Sequence, residues 1–218
     1  MQKSTPSAFK NKALNGWNLW RMITIPISLA IIAMMMTKDL SRVQDISGMI
    51  QFSVRCSIPW LYLAFVAASI RTLVPGPFGQ WLVRNRRNIG LSFAAAMGWQ
   101  LFFIVWMVVG FWQFYMQDVY LLEDVLFQLP GYMLLIAMTL TSFKYWRSKI
   151  TAQQWKLLHT FGIYFLWFTV WYTYWYELYV YDDIQLIDHI YYWSGLLVFA
   201  LRILAWNEQR WFNTRVTA

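Results

Sequence analysis

Apolar residues are concentrated in six long runs along this chain, and short polar stretches separate the runs. Each run is close to the roughly 20 residues that a helix needs to cross about 30 Å of hydrocarbon. The runs are apolar on every side, whereas the strands of a membrane barrel alternate apolar and polar residues. The pattern therefore predicts an all-α integral membrane bundle of six transmembrane helices, at 17–36, 49–73, 89–112, 126–143, 157–176 and 189–206.

Composition favours a membrane protein over a soluble one. Only 13% of the 218 residues are charged and 59% are hydrophobic, whereas soluble domains carry about 25% charged residues. The first run is followed by "TKDLSR" instead of a small-residue cleavage site, so we interpret it as a retained span. The chain then divides into a polar segment at 1–16, a transmembrane domain at 17–206 and a polar tail at 207–218.

The connections between the runs alternate in charge. Those around 113–125 and 177–188 contain acidic residues and no Lys or Arg, whereas most basic residues lie in the N-terminal segment, around 74–88, around 144–156 and in the tail. Basic loops stay on the cytoplasmic side. Both termini are therefore predicted in the cytoplasm, with the bundle in the inner (cytoplasmic) membrane. The same topology explains the net charge of +8 without any nucleic-acid partner.

Few side chains could support chemistry. The single cysteine, Cys56, excludes an internal disulfide, and the sequence lacks the usual hydrolase and nucleotide motifs. His159 is predicted one turn inside the cytoplasmic end of the fifth run, and His189 opens the sixth run at the other face. The two histidines therefore cannot share a metal ion. Arg55, inside the second run, is expected either to reach outer lipid phosphates or to form an outward-facing site for an anionic ligand.

Trp167, Trp171 and Trp175 recur at intervals of four residues, so they form one stripe along the fifth helix. Such a stripe is typical of packing against neighbouring helices. It could also form the wall of a site for a flat conjugated cofactor such as heme or quinone.

Two stretches carry a family resemblance, "RNRRNIGLSFAAAMGWQLFF" at 84–103 and "QWKLLHTFGIYFLW" at 154–167. They resemble the starts of the third and fifth helices in ferric reductase-like transmembrane domains, and the similarity covers about 50–206. The compact six-helix bacterial members of that family are the most similar, among them the heme-binding membrane subunit of the periplasmic methionine sulfoxide reductase system.

The resemblance implies a heme site. In that family, histidines on the third and fifth helices bind b-type heme, and electrons pass from a cytoplasmic donor or quinol to an acceptor outside. The corresponding positions here are Gln100 on the third helix and His159 and Tyr172 on the fifth; a further third-helix position falls near Phe114, which cannot bind iron. The resemblance therefore implies at most one atypical heme b, with His159 as its metal ligand.

Two functions remain open. The chain could be the membrane electron-transfer subunit of an oxidoreductase, working with a separate redox protein or quinone. Alternatively, it could be a heme-free scaffold, assembly or lipid- or quinone-binding protein that kept the fold and lost the heme ligands. A transporter is a weaker third possibility, because no two spans show the matching Gly/Pro interruptions of paired broken helices.

Reporter fusions test the predicted orientation. Fusions after Tyr120 and Tyr181 should read external, because their connections are acidic, and a fusion after Lys149 should read internal, because its connection is basic. Alkaline phosphatase and a fluorescent protein provide complementary readouts. An external reading at Lys149 would contradict the orientation.

Overall fold

The structure is a computed structural model that describes residues 9, 11–119, 122–180 and 184–216. Parts of the predicted segments 1–16 and 207–218, and the fusion positions 120 and 181, lie outside the described residues. The described chain is helical and contains no strand, which confirms the all-α prediction. Its long helices are α1 Gly16–Met36, α2 Val43–Leu73, α3 Pro77–Gly110, α4 Leu122–Leu140, α5 Ala152–Val180 and α6 Leu186–Val216.

Four of these helices are long and apolar enough to cross a membrane: α1, α2, α3 and the Leu186–Arg210 part of α6. The chain is accordingly a multi-pass membrane protein. Helix α4 has 19 residues, close to the length of a span, and its part Gln128–Leu140 is apolar. Helix α5 has 29 residues, about 43 Å of helix, but it is rich in Trp and Tyr, whose polar edges make them less hydrophobic than aliphatic residues.

Some helices begin and end at different residues from the predicted spans. Helix α3 starts at Pro77, well before the predicted 89, because proline has the backbone angle that the first helical turn requires. It ends at Gly110, because Phe111 leaves the helical conformation with φ −136° and ψ 45°. Helix α4 likewise ends at Leu140, three residues before the predicted end.

The six helices alternate in direction. Near the ends of α2 and α6, Gln209 donates a hydrogen bond to the Thr72 hydroxyl (3.1 Å), and Thr141 contacts His159 where α4 ends and α5 begins. These contacts lie at one end of the bundle, which we call the basic end. The opposite end, where α6 begins, is the acidic end. Helix α2 is central, because it packs against α1, α3, α5 and α6.

Helices α2 and α3 form a tight hairpin. Only residues 74–76 connect them. Just beyond this connection the two backbones come close together, since a Cβ added at Gly79 would lie 2.9 Å from the Cα of Arg71. No real side chain tolerates that distance from a backbone atom, so the crossing requires glycine at this position.

The tryptophan stripe packs between α2 and α6. The ring of Trp167 stacks on Phe65 at 5.5 Å and on Phe199 at 4.4 Å between centroids. Its Nε1 donates a hydrogen bond of 3.0 Å to the carbonyl of Gly195. This indole therefore packs against rings of two neighbouring helices, which is the packing arrangement that the spacing of the stripe predicts. Trp171 continues the stack between Trp167 and Tyr192.

Candidate functional site

His159 joins the start of α5 to the end of α4. Its Nε2 lies 3.1 Å from the Thr141 hydroxyl oxygen, and its ring lies against Trp155 with centroids 4.4 Å apart. The Thr141 hydroxyl also lies 2.7 Å from the carbonyl of Ala137. Which of Thr141 and His159 donates to the other depends on the tautomer of the imidazole. With either tautomer, Nε2 contacts Thr141 and joins α5 to the end of α4.

Gln100 joins α3 to α4. Its side-chain oxygen accepts a hydrogen bond of 2.6 Å from the hydroxyl of Tyr132. Tyr132 and Thr141 are nine residues apart on α4, which corresponds to about 13 Å along the helix. The structure therefore brings Gln100 and His159 to different depths of the bundle, where they do not face one another across a single metal atom.

Tyr172 is placed farther towards the acidic end. Its ring stacks on Phe168 and Trp175 of the same helix, at 6.0 Å and 5.6 Å. It is 13 residues from His159, or about 20 Å along α5, so the two cannot bind one iron. Phe114 lies in the short helix Trp112–Phe114 beyond the end of α3. The expected ligand positions are thus spread along the bundle.

The described residues contain no group of three or more His, Cys, Asp or Glu side chains that could hold a metal ion. A heme iron needs only one or two axial ligands. His159 would have to be the only one here, because Gln100 already accepts a hydrogen bond from Tyr132. Comparison with protein-family models, with curated proteins and with solved structures finds no match. The resemblance to ferric reductase-like domains therefore stays a prediction.

Arg55 forms an ion pair that the sequence did not reveal. Its Nη2 lies 3.1 Å from Oδ1 of Asp188, and its Nη1 donates to the side-chain oxygen of Gln185 at 2.9 Å. Asp188 also accepts from the backbone N–H of Gln185, and Tyr191 donates to the carbonyl of Arg55 at 2.8 Å. The guanidinium therefore has a counter-charge within the protein and stays partly exposed. Contact with lipid phosphates or an anionic ligand stays a prediction.

An apolar groove of about 300 Å³ opens between α1, α3 and α4. At the basic end, the rings of Trp17 and Phe143 stack 6.1 Å apart. The guanidinium carbon of Arg87 lies 5.6 Å and 5.7 Å from their centroids. Tyr132 lines the groove farther into the bundle. The remaining lining is mostly aliphatic: Leu91, Ala94, Ala95, Met97, Gly98, Leu101, Leu135, Ile136 and Leu140.

Sequence reasoning did not find the partners of these polar groups. Thr141, Tyr132 and Asp188 are 18, 32 and 133 residues from the side chains that they contact. The only sign in the sequence is a polar residue within or beside an apolar run, since such a residue requires a partner in the membrane. That sign does not identify the partner.

Breaking the Arg55–Asp188 pair should destabilise the bundle. Asp188→Asn leaves a partly buried guanidinium without its counter-charge, and we expect a loss of about 2–3 kcal/mol, near the low end for a buried pair because Arg55 is partly exposed. The double variant Arg55→Met with Asp188→Leu should recover most of that loss. Unfolding in mild detergent measures both. If the double variant loses as much stability as its two single variants together, the pair itself contributes nothing.

Proposed function

We propose that this chain is a heme-free, six-span membrane scaffold that binds an anionic phospholipid, with both termini in the cytoplasm. The observation that carries the proposal is the contact that His159 makes between two helices. Its Nε2 contacts the Thr141 hydroxyl and bridges two helices, as a structural residue would. Gln100 makes a similar bridge to Tyr132. Polar contacts of this kind between membrane helices each contribute about 0.6–2 kcal/mol.

The groove between α1, α3 and α4 supports the lipid part of the proposal. Its lining is mostly apolar, which suits an acyl chain. Arg87 is exposed and lies over Trp17 and Phe143, which line the groove, and it has no acidic partner among the described residues. If the basic end faces the cytoplasm, this arginine lies among the headgroups of the inner leaflet. Anionic lipids are attracted there at about 1 kcal/mol per basic residue.

Optical spectra and a double-mutant cycle test the heme-free role of His159. Protein purified from hemin-supplemented cells should show no Soret band, because Nε2 is engaged with Thr141. His159→Ala and Thr141→Val should each lower the stability in detergent by about 1 kcal/mol, and the double variant should lose little more than either alone. A Soret band that disappears in His159→Ala would overturn the proposal and favour an electron-transfer subunit with a single heme.

The groove assignment is tested by filling the groove. A Cβ added at Gly98 meets no atom within 4 Å, so Gly98→Leu should fold while its side chain occupies the space of an acyl chain. This variant should retain about one phospholipid less per protein after purification in mild detergent. Gly48→Leu is the matched control, because Gly48 is an equally open site outside the groove. This variant should retain as much phospholipid as the wild-type protein. Equal retention by both variants would contradict the assignment.

A further inference from the structure

Two arginines in the basic half of the bundle bind the backbone of the central helix. Nε of Arg86, on α3, donates to the carbonyl of Ala64 at 2.9 Å. Nη1 of Arg202, on α6, donates to the carbonyl of Phe65 at 3.0 Å. Because Ala64 and Phe65 are consecutive, two guanidinium groups from opposite neighbours meet the same turn of α2. The result is a concentration of positive charge inside the bundle.

Neither arginine has an acidic partner in the part of the chain that the structure describes. The ion pairs within the described residues are Lys38–Asp45, Arg42–Asp39 and Arg55–Asp188, and all three lie towards the acidic end. Among the described side chains of the basic half, the only acid is the exposed Glu208. Two like charges that are partly removed from water destabilise the bundle unless an anion accompanies them.

Most of the hydrogen-bonding capacity of these arginines is unused. A guanidinium carries five N–H groups, and within the described residues Arg86 and Arg202 each use one of them. Arg202 is also held in place, because its guanidinium carbon lies 4.4 Å from the Phe65 ring centroid and 4.3 Å from that of Tyr164. A fixed guanidinium with free donors is well suited to a planar or tetrahedral oxyanion.

A cavity of about 400 Å³ lies beside Arg202, between α2, α5 and α6. Its size is within the usual range for small-molecule sites. Besides Arg202, its wall includes the hydroxyls of Ser69 and Tyr164, which can donate to an oxyanion. Gln209 keeps one amide N–H for the same purpose, since its other bond goes to Thr72, whose own hydroxyl donates to the carbonyl of Ala68. Exposed Ile203 and Trp206 form its outer wall, so the cavity lies beside the apolar surface of α6.

We propose that this cavity binds a phosphate group, with Arg202 as the direct contact and Arg86 supplying a second positive charge behind it. The phosphate could belong to the headgroup of an anionic phospholipid or to a soluble phosphate, since the recognition chemistry is the same. The site lies on a different face from the groove between α1, α3 and α4. It does not depend on the absence of heme or on the lipid in that groove.

Binding measured on the purified full-length chain tests the site. The probes are inorganic phosphate and short-chain phosphatidylglycerol below its micelle concentration, both at constant ionic strength, with short-chain phosphatidylcholine as the uncharged lipid. We expect saturable binding of at least one anionic probe, weakened at least tenfold in Arg202→Gln. Arg21→Gln, an exposed arginine of α1, is the matched control and should bind like wild type.

A second variant tests the site independently, in case Arg202→Gln does not fold. Ala68→Trp keeps both arginines and fills the cavity from its wall, so it should also weaken binding at least tenfold. Binding of phosphatidylglycerol alone identifies a lipid source, and binding of inorganic phosphate identifies a soluble one. The proposal is overturned if neither anionic probe binds, if phosphatidylcholine binds equally well, or if Ala68→Trp binds like wild type.

Discussion

The hydrocarbon of a membrane offers no hydrogen-bond partners, and this constraint governs most of what the polar side chains do here. Short hydroxyl side chains such as Ser53 and Thr169 bond to carbonyls of their own helix, whereas several longer polar side chains find their partner on another helix and so join the two. Helix α2 shows the effect most clearly. Its Arg55 pairs with Asp188 of α6, and its carbonyls at Ala64 and Phe65 accept from arginines of α3 and α6. The central helix is thus joined to its neighbours at two levels, around Arg55 and around Ala64 and Phe65.

The candidate ligand positions follow the same constraint. A histidine or glutamine placed in an apolar helix requires a partner, and in His159 and Gln100 that partner is a hydroxyl of α4. Both contacts join α4 to a neighbouring helix, at Tyr132 to α3 and at Thr141 to α5.

The sequence predicted the helices well because hydrophobicity is a local property. Each predicted run corresponds to one long helix, and differences occur at the ends, as at Pro77 and Leu140. The site was less predictable because its contacts are not local. Nothing near Arg55 in the sequence indicates an aspartate 133 residues away. The aromatic richness of α5 was equally ambiguous, because stacked rings can cover one another, as Phe65 and Phe199 cover Trp167, or cover a cofactor.

The short hairpin of α2 and α3 has a consequence for biogenesis. With only residues 74–76 between the helices, neither can enter the bilayer far ahead of the other, and little chain entropy is lost when they pair. The close approach at Gly79 then sets their register from the moment they meet. We expect this hairpin to insert as one unit during synthesis and to present a preformed surface to α5 and α6. The helix that emerges second from the ribosome would thereby become the template on which the later helices assemble.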